Sequence, residues 1–227
     1  GTGTTGGSIT VANGGIIAPG NSVGTLSTTG NLSLSAGSVL EYEFGQANVP
    51  GGPLNDLLAI GGNLTLDGTL NASVTPGGAL LGGAYRIVDY AGTLTDNGLA
   101  LGTMPSAGPF FVQTAVAQQV NLINAEGLGP LSFWDGNNSA LFNNAQVNGG
   151  SGTWLAAPAN RAWTHTTRVA NAPWQAGGFA IFQATPGTVT VDNSAGAVTF
   201  SGAQFAVDGY TVTGQPLTIT TADTPPR

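Results

Sequence analysis

Gly30-Asn31-Leu32-Ser33-Leu34-Ser35-Ala36-Gly37-Ser38-Val39-Leu40 returns in shortened form as Gly62-Asn63-Leu64-Thr65-Leu66-Asp67-Gly68-Thr69-Leu70, and this recurrence decides the fold class. In both copies apolar residues alternate with polar ones, the period of a half-buried strand. A Gly-containing turn then separates two such strands. Gly187 to Phe200 is a third strand-turn-strand unit of similar texture. A unit recurring every 20 to 35 residues or so marks a solenoid, and short strands in each unit point to a parallel β-helix. At about 20 to 25 residues per coil, the chain makes roughly 9 to 11 coils, about 45 Å of stacked strands.

The same alternation extends outward. In Ser38 to Phe44, Leu40, Tyr42 and Phe44 share one face and Glu41 and Glu43 the other. Further short strands fall at Leu70/Ala72/Val74, Val189/Val191, Val198/Phe200, Phe205/Val207, Tyr210/Val212 and Leu217/Ile219. Asn13-Gly14-Gly15, Asp67-Gly68, Pro76-Gly77-Gly78 and Asp208-Gly209 punctuate them as turns. No stretch has a helical period, so the expected class is all-β without significant helix. A β-sandwich, with hairpin turns every 8 to 12 residues or so, is the competing all-β reading. Long Gly/Asn/Ser/Thr spacers favour the solenoid, whose coils suit stacked Asn and Thr ladders.

Composition agrees. Of 227 residues, 37 are Gly, 13 are Pro and only 7% are charged. Each Gly costs roughly 1 kcal/mol relative to Ala inside a helix, whereas coil corners with φ > 0 accept it. Apolar residues make up 41% and mean hydropathy is +0.16, which argues against disorder. Cysteine is absent, so disulfides, thiolate metal sites and Cys nucleophiles are excluded. There is no Lys; the cations are Arg86, Arg161, Arg168 and Arg227, and the net charge is −7. Nucleic acid and anionic membrane surfaces are therefore poor partners. No apolar run approaches the roughly 18 residues of a membrane span. Starting at Gly1 without Met or signal peptide, the sequence reads as a mature piece or an excised fragment.

A boundary is expected at Glu126-Gly127-Leu128-Gly129-Pro130. Residues 1–128 are aliphatic and carry the repeated motif but no Trp. Residues 129–227 hold all four Trp and the Asn-rich stretch from Asn137 to Asn148, and are expected to continue the same stack.

Several patterns resemble chemical motifs. Gly20-Asn21-Ser22-Val23-Gly24 fits G-x-S-x-G, but a nucleophile elbow needs a following helix, and Thr25 onward is strand-like. His165 is the single His and sits among threonines, as an exposed loop residue would. Gly1-Thr2-Gly3-Thr4-Thr5-Gly6 fits G-x-G-x-x-G without the required preceding strand and following helix. Asp135-Gly136-Asn137-Asn138-Ser139 begins like a Ca²⁺ loop, yet Ala140 stands where Gly is required and Gln146 where Glu is. Glu41 and Glu43 lie close enough in principle for a glycosidase pair, but a solvated outer strand face explains them at no cost, and the Lys that would suit a lyase acting on an acidic sugar is absent. Trp134, Trp154, Trp163 and Trp174 suit either internal packing or a sugar-stacking surface. The sequons at Asn31, Asn63 and Asn71 are what a Thr- and Asn-rich chain produces by chance. No catalytic, cofactor-binding or metal-binding set emerges, and the chain is expected not to be an enzyme.

Ile16-Ile17-Ala18-Pro19-Gly20-Asn21-Ser22-Val23-Gly24-Thr25-Leu26, with Gly30-Asn31-Leu32, Gly37 to Glu41 and Asn55 to Leu66, resembles the passenger-associated transport repeat of bacterial autotransporters. Within it Pro19, Gly20, Asn21, Ser22 and Gly24 form a structural motif. The stretch from Tyr85 to Gly102 is similar to the segment that usually succeeds this repeat in large passengers. Phe133 to Gly136, Gly149 to Trp154 and Ala180 to Phe182 resemble autotransporter-associated β-strand repeats. The resemblance implies a right-handed parallel β-helix of the type V secretion class, exported through its own C-terminal outer-membrane barrel and exposed on the bacterial surface. Its implied function is that of a non-enzymatic stalk or adhesin, with a role in passenger translocation and folding. A host surface, a glycan or self-association are the partners this allows; a carbohydrate-binding or glycan-cleaving β-helix is the alternative.

Overall fold

A computed structural model describes residues 2–220 of the chain, which divide near Glu126 into two compact units. In unit 1 the strands are β1 (Gly3–Thr5), β2 (Ile9–Val11), β3 (Ile16–Ile17), β4 (Thr25–Thr28), β5 (Leu32–Leu34), β6 (Val39–Phe44) and β7 (Leu57–Ile60). They continue as β8 (Leu64–Leu66), β9 (Thr69–Val74), β10 (Gly83–Tyr90), β11 (Leu94–Asp96), β12 (Ala100–Leu101), β13 (Phe110–Gln113) and β14 (Gln119–Asn124).

Consecutive strands of unit 1, as far as β12, do not pair with each other. They are dealt in rotation to three parallel ladders: β1-β4-β7-β10, β2-β5-β8-β11 and β3-β6-β9-β12. A hairpin-linked sandwich would instead pair chain neighbours antiparallel. Register puts like on like: Ile9 beside Leu32, Leu32 beside Leu64, Leu64 beside Leu94, and Ile17, Leu40, Leu70 and Leu101 in succession. Leu40, Leu58, Leu64 and Leu70 are fully buried, each contributing about 1.5–3 kcal/mol of hydrophobic stabilisation. Phe44 packs between Tyr42 and Tyr85 in the same core, and the Tyr42 hydroxyl donates to the Ile87 carbonyl (2.9 Å).

The corner before the second ladder explains part of the glycine content. Gly7-Ser8, Gly30-Asn31, Gly62-Asn63 and Gly92-Thr93 stand in equivalent places. Asn31 N–H donates to Ser8 Oγ (3.0 Å), Asn63 N–H to Asn31 Oδ1 (2.8 Å) and Thr93 N–H to Asn63 Oδ1 (2.9 Å). These bonds step along the chain by 23, 32 and 30 residues. The expected positive φ is found at the turn glycines Gly14, Gly68 and Gly77 (79°, 89° and 82°), but Gly62 does not occupy the left-handed region. It is required by close approach, since a Cβ there would lie 2.3 Å from Asn31 Oδ1 and 2.8 Å from the Gly30 carbonyl.

Two further expectations change. The first step between turns, 23 residues, lies within the expected range of about 20–25, but the next two, 32 and 30, exceed it, because Gly45 to Asp56 is inserted between β6 and β7 and Thr75 to Gly82 between β9 and β10. The sheets are also not wholly parallel. Beyond β10 the first ladder is completed by β14 and β13, both antiparallel to their neighbours. A long sequence run from Phe110 to Asn124 folds back on itself there and buries Val120 and Leu122.

Unit 2 comprises β15 (Leu131–Trp134), β16 (Gly152–Leu155), β17 (Trp163–Thr164), β18 (Asn171–Ala172), β19 (Gly178–Phe182), β20 (Thr188–Asp192), β21 (Thr199–Phe205), β22 (Thr211–Gly214) and β23 (Thr218–Ile219). Two parallel ladders alternate along the chain, β15-β19-β21-β23 and β16-β20-β22. The other edge of β15 is taken by β17 and then β18, antiparallel. The helical content described is a single 3₁₀ turn, Ser139–Leu141, capped by the Asn138 side chain.

Candidate functional site

The Pro19 to Gly24 motif forms the loop between β3 and β4, with Pro19 and Gly24 buried and Asn21 and Ser22 exposed. Strand β4 begins at Thr25, so the strand-to-helix turn of a nucleophile elbow is missing at Ser22. What fixes the loop lies elsewhere in the chain. Asp56, 3% exposed, accepts from the Gly24 N–H (2.7 Å) through Oδ1 and from the Glu43 N–H (2.8 Å) through Oδ2. Its neighbour Asn55 accepts from the Gly45 and Gln46 amides and donates to the Gln46 and Val49 carbonyls. The pair thus closes the insertion between β6 and β7 and ties it to the motif loop. Burial lifts the Asp56 carboxyl above its usual range, opposed by the two amide donors, while the nearby Glu43 charge adds to the rise.

Glu41 and Glu43 share the outward face of β6 while Leu40, Tyr42 and Phe44 point inward. Glu41 Oε1 accepts from the Asn71 side chain (2.8 Å), a cross-strand bond of the outer face. On the outer face of the first ladder, Ser27, Ala59 and Asp89 lie side by side in register. With Gln118 and Gln119 they line an open groove of about 560 Å³. Asp89 is already paired with Arg86, whose Nε also donates to Asn121 Oδ1 (2.8 Å).

The structure brings Trp134, Trp154, Trp163 and Trp174 together, but inside unit 2. They are at most 6% exposed. Trp154 packs edge-to-face on Trp163 and Trp174 at 4.9 and 4.8 Å between ring centres, and Trp134 meets Trp163 at 5.1 Å. Two indoles find oxygen acceptors: Trp134 Nε1 donates to the Gly150 carbonyl and Trp174 Nε1 to that of Thr199. With their faces turned on one another, these rings offer a sugar no open stacking surface in this arrangement.

Asp135, next to Trp134, is 1% exposed and organises the Asn-rich loop. Its Oδ1 accepts from the Asn148 N–H and side chain, and its Oδ2 from Asn171 Nδ2 (2.7 Å). Asn171 also bonds Asn143 and the Arg161 carbonyl. The loop that begins like a Ca²⁺ site is therefore held by amides. Among the described residues no three His, Cys, Asp or Glu side chains converge as metal ligands. His165 is half-buried, not fully exposed as its sequence setting suggested, with Nδ1 3.5 Å from the Leu131 carbonyl. Gly1, the first residue of the G-x-G-x-x-G match, lies outside the described residues, as do residues 221–227.

A second, smaller groove of about 360 Å³ lies in unit 2, lined by Asn137, Phe142, Leu155, Ala159, Asn160 and Arg161. Of these only Asn137 falls within a sequence motif, the Ca²⁺-like run; the others come from separate segments of the chain and carry no fixed spacing.

No family model matches the chain, and no solved structure matches it. Among known proteins the chain is 50% identical, over 207 residues, to the adhesin BmaC autotransporter of Brucella suis biovar 1 (strain 1330). The aligned region is 91% of this chain and 6% of that protein, so the chain corresponds in length to a small part of its relative. This likeness supports an autotransporter passenger region; it does not extend to the repeat types.

Proposed function

We propose that the chain is a non-enzymatic stalk or adhesin segment of an autotransporter passenger, displayed on the bacterial surface and exported through a C-terminal outer-membrane barrel belonging to the same polypeptide. The observation that carries this reading is the 50% identity to an autotransporter named as an adhesin. The rotation of strands through three in-register ladders supports a right-handed parallel β-helical winding of unit 1. Such a stack is stiff along its axis, because every rung is hydrogen-bonded to the next. That suits a chain whose task is mechanical. The missing cysteines suit passage of an extended chain through a narrow pore, where preformed cross-links would jam.

The Pro19 to Gly24 loop and its Asp56 lock are assigned a part in translocation and folding, as a place where one turn is pinned to the next. Fusing the chain ahead of an autotransporter barrel tests both points. The intact fusion should be stained by antibody and cut by added protease on whole cells, and should raise adhesion above that of cells carrying the barrel alone. Deleting residues 16–40 should lower display. Retention of the intact fusion inside the cell would overturn the surface reading, and unchanged display of the deletion would overturn the translocation role.

A further inference from the structure

We propose that the groove beside Arg161 in unit 2 is a binding site for a sugar bearing a carboxylate, such as a terminal sialic or uronic acid residue. The proposal gives the adhesive reading above a ligand class and depends on that reading for its biological sense. Its chemistry rests on unit 2 alone.

The groove combines the three elements an acidic sugar requires. The first is a free cation. Arg161 is exposed, and among the described residues no hydrogen bond or ion pair occupies its guanidinium; the ion pair that is described belongs to Arg86. The Asp135 carboxylate makes no ion pair with it among the described residues; its oxygens accept from Asn148 and Asn171 instead. A planar guanidinium with parallel N–H groups matches a carboxylate in two-point contact. The second element is an apolar wall. Phe142, Leu155 and Ala159 line the groove, and the half-buried Phe142 ring suits the C–H face of a sugar ring. The third is polar hydrogen-bonding capacity for hydroxyls, which Asn137 supplies at the rim. At about 360 Å³ the groove falls at the small end of ordinary ligand sites, the scale of one or two sugar rings.

The walls are fixed before any ligand arrives. Asn160 Nδ2 donates to the Thr153 carbonyl (2.8 Å) and Asn160 Oδ1 accepts from the Ala162 N–H (3.1 Å), which pins this loop to β16. The Arg161 carbonyl accepts from Asn171, and the Ala162 carbonyl from the Asp135 N–H (2.8 Å). The backbone that carries Arg161 is therefore held before binding, so little ordering of that loop opposes it. Net charge also narrows the ligand. A molecule at −7 repels extended polyanions, whereas a single carboxylate at one guanidinium is tolerated.

The test uses the purified 227-residue chain and titrates 3′-sialyllactose, a glucuronic-acid-terminated disaccharide and neutral lactose by calorimetry and saturation-transfer NMR. One or both acidic probes should bind at least about tenfold more tightly than lactose, and added salt should weaken them. Arg161→Gln should reduce acidic-probe affinity about tenfold or more while leaving lactose and the thermal midpoint unchanged, because Arg161 enters the fold through its backbone. Phe142→Ala should weaken the acidic probes that bind. The acidic probe that binds identifies the source of the carboxylate. Equal binding of lactose, no binding of either acidic probe at millimolar concentration, or unchanged affinity in Arg161→Gln would each overturn the proposal. Surface display is not involved, so failure here is distinguishable from failure of the passenger reading.

Discussion

Asp56→Ala should be among the most damaging single changes available in unit 1. The substitution deletes the acceptor for two backbone amides at once, Gly24 N–H at 2.7 Å and Glu43 N–H at 2.8 Å. A buried donor left without its partner costs about 1–3 kcal/mol. The Gly24 amide is buried and bears the full penalty, while that of Glu43 is half-buried and bears less. The sum is about 2–4 kcal/mol, somewhat offset because a buried carboxylate is no longer kept from water. Asp56→Asn retains one acceptor oxygen but sets an amide against the other N–H, so it should lose about half as much. Urea unfolding followed by far-UV circular dichroism measures both variants. Tryptophan emission serves as a separate reading of unit 2, which holds all four indoles. Native-state hydrogen exchange should show Gly24 and Glu43 amides losing protection. A loss below about 0.5 kcal/mol for Asp56→Ala, with unchanged exchange at both amides, would refute the assignment of Asp56 as the lock.

The remaining predictions concern pH, the core and the corners. Burial raises the folded-state pKa of Asp56 above the unfolded value of about 3.9, so the folded chain holds that proton more tightly. The stability from this group is full below the unfolded value and falls as pH rises through the folded value. Asp56→Asn should abolish that fall in a stability-against-pH series. Asp192, held low by the Ser194 amide and hydroxyl, contributes in the opposite sense in both proteins and cancels in the difference. Leu64→Asp and Val191→Asp each put an unpaired charge into a fully or nearly fully buried strand position. The first should unfold unit 1 and the second unit 2, read by circular dichroism and tryptophan emission respectively. Gly62→Ala should lower the thermal midpoint by several degrees, since its Cβ meets backbone as well as Asn31; a melt matching wild type would contradict the close-approach explanation.

The strands were legible where one face is buried and the other wet. Leu32, Leu34, Leu64, Leu66 and Leu70 all point inward as alternation requires, and Glu41 and Glu43 face out. The Asn ladder was legible as a type, because a residue repeated before each strand pair stacks on its own copy. The antiparallel completion by β13 and β14 was hidden: Gln113, Asn121 and Asn124 are buried there, so polar and apolar positions no longer separate by face. The Asn55-Asp56 lock carried one faint signal, two polar residues opening an otherwise apolar run. The tryptophans were undecided from sequence, since residue type alone does not say which way a ring points. The Arg161 groove left no periodic trace, for it is assembled from segments that only the fold brings together.

The central claim is that successive turns of unit 1 stack in parallel register, and disulfide trapping tests it most directly because the chain has no cysteine of its own. Ser33 and Thr65 are register partners on adjacent strands, both half-buried on the outer face. Their expected spacing of about 4.8 Å lies within the range of about 4.4–6.8 Å that a disulfide spans. On mild oxidation Ser33→Cys/Thr65→Cys should form an intramolecular cross-link in nearly all molecules, seen as a mobility shift reversed by reductant. Ser33→Cys/Ser73→Cys, whose positions belong to different ladders, should not. Equal cross-linking of the two pairs, or none in the first, would contradict the account.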